Sequence, residues 1–288
     1  MKPSAFDYEC PTDLNAVLAM LGDTETETRI LAGGQSLVPM MNYRLAAPER
    51  LVDINRLPDL DYIREDAGFV AIGALARHGE IKASELVGRY FPMMAEAYDW
   101  IAHAAVRNRG TLCGNLCHAD PASEMPALMQ VLDANLVVAK ATGTREVTAQ
   151  DFFVGTYETV LESDEMLTEV RIPIPEAGTG WGFEEVAMRK GDYAWCTVVA
   201  TLRVVEGRIA APRIAVSGVG DAAIRLGAQE ETLAGAEPTS AVFEEIAAAA
   251  AAAVNPPNVE HISADYRRDL LRSLLPRVLS AAASRVAA

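Results

Sequence analysis

The chain has 288 residues and a formal net charge of −15 at pH 7, with 50% of its residues apolar and 23% charged. This length is enough for two domains of ordinary size with a buried core. The negative charge disfavours binding to nucleic acid or to an anionic membrane surface. No apolar run reaches the roughly 18–20 residues of a membrane span, and residues 1–7 contain no hydrophobic signal region. We therefore expect a cytoplasmic protein.

The first half of the chain predicts alternating helices and strands. Thr12 is a plausible N-cap for the first helix, and Ser123 or Glu124 is the predicted start of a later one. Apolar residues at helical spacing predict the body of that first helix, at 14–21, and another helical segment at 93–104. Apolar and β-branched runs predict strands, at 29–32, 50–54, 69–73 and, as a hairpin, 136–139 with the residues after 143.

The pattern changes after a Pro- and Gly-rich stretch at 172–180, which is the best candidate for a linker. Two β-rich runs, 195–205 and 208–219, are separated by Glu206-Gly207, a two-residue hairpin signal. A helix is then predicted from about residue 241, and a last helix has its leucines on one face. The predicted fold class is α+β, in two regions that meet near residue 177.

Two segments rich in glycine and small polar residues are the most informative feature of the chain. They span 31–37 (Leu-Ala-Gly-Gly-Gln-Ser-Leu) and 107–121. Glycine has no Cβ and adopts positive φ readily, so such segments allow backbone N–H groups to approach an anion closely. Neither segment has the Gly-x-Gly-x-x-Gly or the Walker-type Gly-Lys-Ser/Thr pattern. Together they predict two loops that hold a ligand with two phosphates from both sides.

The four cysteines are Cys10, Cys113, Cys117 and Cys196. A ferredoxin-type iron–sulfur cluster needs four thiolates in tight local runs, and only Cys113 and Cys117 are close in sequence. The alternative is that these two are small buried residues, as free cysteines commonly are. We favour the alternative, and expect neither an iron–sulfur cluster nor another metal site in this chain.

A pyrophosphate held between two loops belongs either to a dinucleotide such as FAD or to a nucleotide-sugar. Residues 189–195 favour a flavin, because a basic pair, Arg189 and Lys190, lies beside Tyr193 and Trp195. A tyrosine ring can stack favourably on an isoalloxazine. The alternative is that only one of Tyr193 and Trp195 faces the pocket.

Four motifs together resemble one protein family. They are Ala-Gly-Gly-Gln-Ser at 32–36, Ala-Val-Arg-Asn-Arg-Gly-Thr at 105–111, His-Ala-Asp-Pro-Ala at 118–122 and Arg-Lys-Gly-Asp-Tyr-Ala at 189–194. In order and spacing, residues 3–285 resemble the FAD-binding medium subunit of the molybdenum hydroxylases. This family includes carbon monoxide dehydrogenase and quinoline 2-oxidoreductase, and xanthine dehydrogenase carries the equivalent as an internal domain.

The resemblance implies a fold and a division into domains. Residues 1–176 would form an FAD-binding domain of the vanillyl-alcohol oxidase type, in two α+β subdomains that divide near residue 57. Residues 177–288 would form a C-terminal domain of the carbon monoxide dehydrogenase flavoprotein type, a three-stranded sheet with a helical bundle.

The resemblance also implies a set of cofactor-binding residues, and no catalytic residue. The pyrophosphate would be held by Ala32, Gly33, Gly34, Gln35, Ser36, Thr111, Gly114 and Asn115. Other residues would line the cofactor, namely Ala102, Cys117, Ser123, Glu124, Leu161 and Lys190, with Tyr193 against the isoalloxazine. Three positions depart from the family pattern: Cys113 stands where a glycine is usual, Cys117 replaces a small residue that is commonly alanine, and Glu185 stands where many relatives have a lysine.

Histidine bears on how the flavin is attached. The four histidines are His78, His103, His118 and His261. None lies in the first glycine segment, where His-linked relatives of the wider fold attach FAD. We therefore expect FAD to be bound non-covalently.

The function implied by the resemblance is electron transfer. A large molybdopterin subunit would hydroxylate the substrate, and a small two-iron two-sulfur subunit would pass electrons to the FAD held here and on to an external acceptor. The assembly would be a dimer of heterotrimers, a heterohexamer, and its substrate an N-heteroaromatic compound. The alternatives are a carbon monoxide dehydrogenase medium subunit, a self-contained flavin oxidoreductase, and an assembly or storage protein that has lost FAD.

Overall fold

A small parallel sheet opens the chain in this computed structural model, which describes residues 2–259 and 261–286. Its elements are β1 (Asp7–Glu9), α1 (Leu14–Leu21), β2 (Thr28–Leu31), α2 (Leu37–Asn42) and β3 (Arg50–Asp53). The strand order is β1-β3-β2, and both pairings are parallel. The predicted N-cap, Thr12, lies one residue too early, because the carboxylate of Asp13 accepts the N–H of Ala16 at 3.2 Å. This helix cap fixes the start of α1.

A five-stranded antiparallel sheet follows, with strand order β4-β5-β10-β6-β7. Its strands are β4 (Ile63–Asp66), β5 (Phe69–Gly73), β6 (Asn135–Lys140), β7 (Gly143–Thr148) and β10 (Met166–Pro173). The helices between them are α3 (His78–Ala83), α4 (Glu85–Tyr90), α5 (Pro92–Ala97), α6 (Ala104–Arg107), α7 (Leu112–His118), α8 (Glu124–Val131) and α9 (Ala149–Phe152). A separate two-stranded ribbon pairs β8 (Phe153–Gly155) with β9 (Glu158–Thr159). The predicted hairpin is β6–β7, and the helix predicted at Ser123 or Glu124 is α8.

The prediction of a single helix over residues 93–104 is wrong. The chain leaves the helical conformation after α5, because Ala102 has a φ of +44°, in the left-handed region that a right-handed helix excludes. The guanidinium of Arg107 donates to the carbonyl oxygens of Ile101 and Ala102, both at 2.7 Å. These two hydrogen bonds satisfy carbonyls that a helix would otherwise have paired.

The C-terminal region packs a sheet against two helices. Its elements are β11 (Gly180–Ala187), β12 (Ala194–Val205), β13 (Arg208–Ser217), β14 (Ile224–Arg225), α10 (Gly227–Leu233), α11 (Ser240–Ala253) and α12 (Ala264–Val286). The expected three-stranded sheet is present as β11-β12-β13, and the two-residue β14 adds a fourth strand at its edge. Glu206 and Gly207 turn the β12–β13 hairpin with φ of +51° and +76°, the signs that a type I′ turn requires.

Buried apolar residues form two clusters, one in each region. The first surrounds Phe91, Tyr98 and Phe152, and the second lies between the C-terminal sheet and α11–α12. Backbone contacts join the two, since the N–H of Gly218 donates to the carbonyl of Pro121 at 2.8 Å. Residues 118–124 are therefore held against the C-terminal sheet. Over 2–259 and 261–286, no helix combines the length and apolar character needed to cross a bilayer.

Candidate functional site

A cleft of about 1560 Å³ lies where the two glycine segments face each other. It is lined by residues of the parallel sheet, of the helices α7 and α8, and of the turn before β12. Typical small-molecule sites have volumes of roughly 300–1,000 Å³. The cleft is therefore large enough for an extended ligand such as a dinucleotide.

The first glycine segment connects β2 to α2 and packs directly on the second. A Cβ on Gly33 would lie 2.4 Å from the carbonyl oxygen of Arg109 and 2.7 Å from the Cα of Gly110, inside the contact distance of real atoms. Gly34 has a φ of +70°, which glycine adopts without steric cost. The backbones of the two segments are thus in contact, and only glycine at position 33 permits this approach.

The prediction that the second glycine segment is a loop is wrong, because residues 112–118 form α7. Thr111 caps this helix, and its hydroxyl accepts the N–H of Gly114 at 3.1 Å. The only left-handed residue here is Ala119, with a φ of +49°, and it ends the helix. N–H groups in the first turn of a helix lack intrahelical partners and favour anions. The cleft is therefore bounded by a helix start on this side and by a true glycine turn on the other.

A side-chain pair joins the starts of α7 and α8 beside the cleft. The Asn115 amide donates to the Ser123 hydroxyl at 2.9 Å, and that hydroxyl donates to the Asn115 amide oxygen at 3.1 Å. Ser123 is the N-cap residue of α8 but makes no side-chain cap bond to the helix. Its hydroxyl is used to fix Asn115, which holds both residues in place at the wall of the cleft.

Aromatic side chains form one end of the cleft. Tyr193 is 62% exposed and Tyr157 is 55% exposed, although both line the cleft. The Tyr157 ring stacks on the His118 ring with centroids 4.9 Å apart, and its hydroxyl donates to the Asp120 carboxylate at 3.4 Å. Partial burial and the nearby Asp120 carboxylate raise the pKa of Tyr193 to about 12. Tyr193 therefore presents a neutral phenol to the cleft.

The structure brings together all but one of the predicted cofactor-binding residues. Those that line the cleft are Ala32, Gly33, Gly34, Gln35, Ser36, Ala102, Thr111, Gly114, Asn115, Cys117, Ser123, Glu124, Leu161 and Tyr193. Lys190 does not line it: its ammonium lies 5.5 Å from the centroid of the Trp100 ring. Trp195 also lies outside, edge-on to Tyr266 with centroids 6.0 Å apart.

Sequence reasoning missed several lining residues, among them Tyr157, His78 and Asp192. His78 is buried, which lowers its pKa to about 4, and its Nδ1 lies 3.3 Å from the hydroxyl of Tyr98. It is therefore neutral in the folded chain. Asp192 could have been found, because it stands in the motif that contains Tyr193. No local pattern marks Tyr157, which reaches the cleft on the β8–β9 ribbon.

The two cysteines of α7 lie one helical turn apart and both contribute to the cleft wall. Burial raises the pKa of the Cys113 thiol well above its ordinary value and that of Cys117 to about 12. Both thiols are therefore protonated at neutral pH. In the described ranges, no three His, Cys, Asp or Glu side chains are grouped so that they could hold a metal ion.

Family comparison identifies the ligand that such a cleft holds. Residues 4–175 match the family model described as FAD binding domain in molybdopterin dehydrogenase, and residues 181–282 match CO dehydrogenase flavoprotein C-terminal domain. The chain belongs to this family. It is an FAD-binding medium subunit of the molybdenum hydroxylases, which are oxidoreductases. The residues present fit FAD, because the cleft has room for a dinucleotide and the two glycine segments that line it are in direct backbone contact at Gly33.

Individual relatives support this assignment over most or all of the chain. Caffeine dehydrogenase subunit beta of Pseudomonas sp. (strain CBB1) is 42% identical over 82% of this chain and 80% of its own. The carbon monoxide dehydrogenase medium chain of Hydrogenophaga pseudoflava is 37% identical over 100% of both. Among solved structures, carbon monoxide dehydrogenase from H. pseudoflava has a TM-score of 0.96 at 38% identity, with 99% of each chain covered. Quinoline 2-oxidoreductase from Pseudomonas putida 86 has a TM-score of 0.94 at 38% identity and the same coverage.

Proposed function

We propose that this chain carries electrons within a heterohexamer, a dimer of heterotrimers in the cytoplasm. A small two-iron two-sulfur subunit delivers the electrons, which a large molybdopterin subunit takes from its substrate, and an external acceptor receives them. The observation that supports the proposal is that the predicted cofactor-binding residues, except Lys190, lie together in one cleft. We assign the FAD-binding domain to residues 1–176 and the C-terminal domain to residues 177–288.

Each part of the cleft has a distinct task in this proposal. FAD, when bound, supplies the redox chemistry, and the chain supplies position and electrostatics. Residues 32–36 and the start of α7 hold the pyrophosphate with backbone N–H groups, because a glycine turn and a helix N-terminus face each other across the cleft. Tyr193 covers one side of the isoalloxazine and excludes water from it. None of the lining residues serves as a general acid or base toward the substrate.

The proposed substrate class is an N-heteroaromatic compound. Relatives with caffeine, nicotine and quinoline in their names support this class, including the nicotine 6-hydroxylase medium subunit of Paenarthrobacter nicotinovorans at 37% identity. Carbon monoxide is the second candidate, because a carbon monoxide dehydrogenase medium chain matches over the full length. Oxidation assays of the assembled complex with quinoline, caffeine and carbon monoxide distinguish the two candidate substrate classes.

We expect one FAD per chain, held without a covalent bond. The first glycine segment contains no histidine to which the flavin could be attached, and burial holds the cleft cysteines as thiols. Precipitation with acid should release all of the yellow flavin into the supernatant, where its absorbance gives the stoichiometry. Flavin that stays with the pellet would overturn the non-covalent assignment, and a colourless purified chain would overturn FAD binding itself.

Replacing Tyr193 by alanine is expected to weaken FAD binding modestly and to raise flavin fluorescence. Loss of one aromatic stacking contact costs about 0.5–1.5 kcal/mol, which lowers the FAD affinity about two- to tenfold. Fluorescence titration of the FAD-free chain measures both effects. Tyr43→Ala is the matched control, because Tyr43 is 68% exposed and does not line the cleft. Equal affinity and emission in both variants would remove Tyr193 from the flavin site.

A further inference from the structure

Two buried glutamates lie near enough for their charges to interact, and one of them lines the cleft. Glu124 is the first residue of α8 and lines the cleft, but only 6% of it is exposed. Glu185 lies on β11 and is also 6% exposed. Buried carboxyls without a cation are costly when ionised. Two of them side by side therefore need an explanation.

The fold brings this pair together through β12. Glu185 is in register with Thr197 on β12, and the Thr197 hydroxyl donates to its Oε2 at 3.1 Å. The other oxygen, Oε1, is buried and has no hydrogen-bond partner. Helix α8 packs on β12 and β13, which brings Glu124 close enough for its charge and that of Glu185 to interact.

The groups around the pair are acidic or neutral. Those that interact with its charges are Asp120 from the turn before α8, Tyr98 at the end of α5, Tyr193 from the turn before β12, and Cys196 and Thr197 on β12. Within residues 2–259 and 261–286, neither glutamate forms an ion pair with a Lys, Arg or His. Arg267, beyond Cys196, instead donates to the backbone carbonyls of Trp195 and Gly218.

Burial therefore favours the protonated form of both carboxyls. It raises the pKa of Glu124 and of Glu185, and the Glu185 charge raises that of Glu124 further. Two like charges this close do not both ionise readily. The pair therefore retains one proton that an exposed glutamate would have lost, and its remaining carboxylate can accept a second.

We propose that Glu124 and Glu185 form a proton-accepting pair that compensates the charge placed on the flavin when it is reduced. This inference rests on the proposed position of FAD in the cleft. Bound FAD would accept two electrons from the iron–sulfur donor together with one proton, and would so gain one negative charge in the cleft that Glu124 lines. The pair then binds one proton from water, so that two electrons enter the site together with two protons. Reduction thus leaves the net charge of the site unchanged.

The pH dependence of the flavin midpoint potential tests this directly in the full-length, FAD-loaded chain. One extra proton per two electrons steepens the slope by about 30 mV per pH unit. The wild type should show this steeper slope where the pair titrates, and Glu185→Gln should lose it. Thr197→Val removes the hydrogen bond that favours ionised Glu185, so it should move the steep region to higher pH.

Glu184→Gln is the matched control. Glu184 is the neighbouring residue on β11, on the opposite face of the strand, where it pairs with Arg277 at 2.6 Å. It should keep the wild-type slope. An identical slope in wild type and Glu185→Gln would overturn the proposal, and so would an equal change in Glu184→Gln.

A second measurement needs no flavin and separates failure of this inference from failure of FAD binding. The folded-state pKa of both glutamates lies above the unfolded value, so the chain loses stability as pH rises through that interval. Glu185→Gln removes one of these groups and should raise the melting temperature of the FAD-free chain more at pH 8 than at pH 5. Equal changes at both pH values would show that the pair holds no extra proton, whether or not FAD binds.

Discussion

Gly33→Ala is expected to lower the affinity for FAD by about 5- to 150-fold, because over-packing of this kind costs about 1–3 kcal/mol. The new Cβ would lie 2.4 Å from the backbone carbonyl oxygen of Arg109. A backbone carbonyl cannot move out of the way as the end of a flexible side chain can. The two glycine segments must therefore move apart. The N–H groups that hold the pyrophosphate on the two sides would then no longer be spaced for one ligand. Equilibrium dialysis or fluorescence titration with FAD measures the loss.

Gly88→Ala provides the matched control for this substitution. Gly88 lies in α4, a Cβ there meets no atom within 4 Å, and its φ is not positive. Alanine is favoured over glycine inside a helix by about 1 kcal/mol, so this variant should bind FAD normally and melt slightly higher. Melting temperatures of both FAD-free variants separate a local change at the cleft from general unfolding. Unchanged FAD affinity in Gly33→Ala would mean that the contact between the two segments does not shape the site.

Local chemistry explains which elements of the fold the sequence predicts. Glu206-Gly207 has two residues suited to positive φ between β-rich runs, and the β12–β13 hairpin forms there. The helix expected over 93–104 does not form as one helix, because side-chain hydrogen bonds override the local apolar pattern. Its apolar spacing is helical, but Ala102 adopts a positive φ stabilised by hydrogen bonds from Arg107. The apolar spacing of 93–104 does not reveal these hydrogen bonds, because Arg107 lies outside that stretch.

The site shows the same division between motifs and tertiary contacts. Residues of the two glycine segments were predictable because short motifs contain them, and the structure brings them to one cleft. The helical start at Thr111 was missed because small residues suggest a loop, although Thr111 is a good N-cap. Lys190 follows the family motif yet lies over Trp100, and Tyr157 reaches the cleft from a ribbon that no motif marks. The pairing of Glu124 with Glu185 depends on α8 packing against the C-terminal sheet, which only the tertiary structure reveals.

The chain purified alone is expected to bind FAD but to hydroxylate no candidate substrate. Its four cysteines are distributed over Cys10, Cys113, Cys117 and Cys196, whereas a two-iron two-sulfur cluster needs four cysteine thiolates at one place. Burial also keeps three of these thiols, Cys113, Cys117 and Cys196, in the protonated form that does not ligate metal. Activity should appear only when the large and small subunits are co-expressed with this chain.

The complex carrying Gly33→Ala distinguishes electron transfer by this chain from a purely structural role in assembly. Its large and small subunits remain intact, so substrate should still bleach the iron–sulfur absorbance in a stopped-flow experiment. Reduction of the external acceptor should fall with the FAD content, and added FAD should restore it in proportion to the flavin bound. If acceptor reduction is independent of flavin content, electrons leave the complex by another route. Turnover of an N-heteroaromatic compound by the isolated, metal-free chain would contradict the proposal outright, because hydroxylation would then occur at the flavin cleft itself.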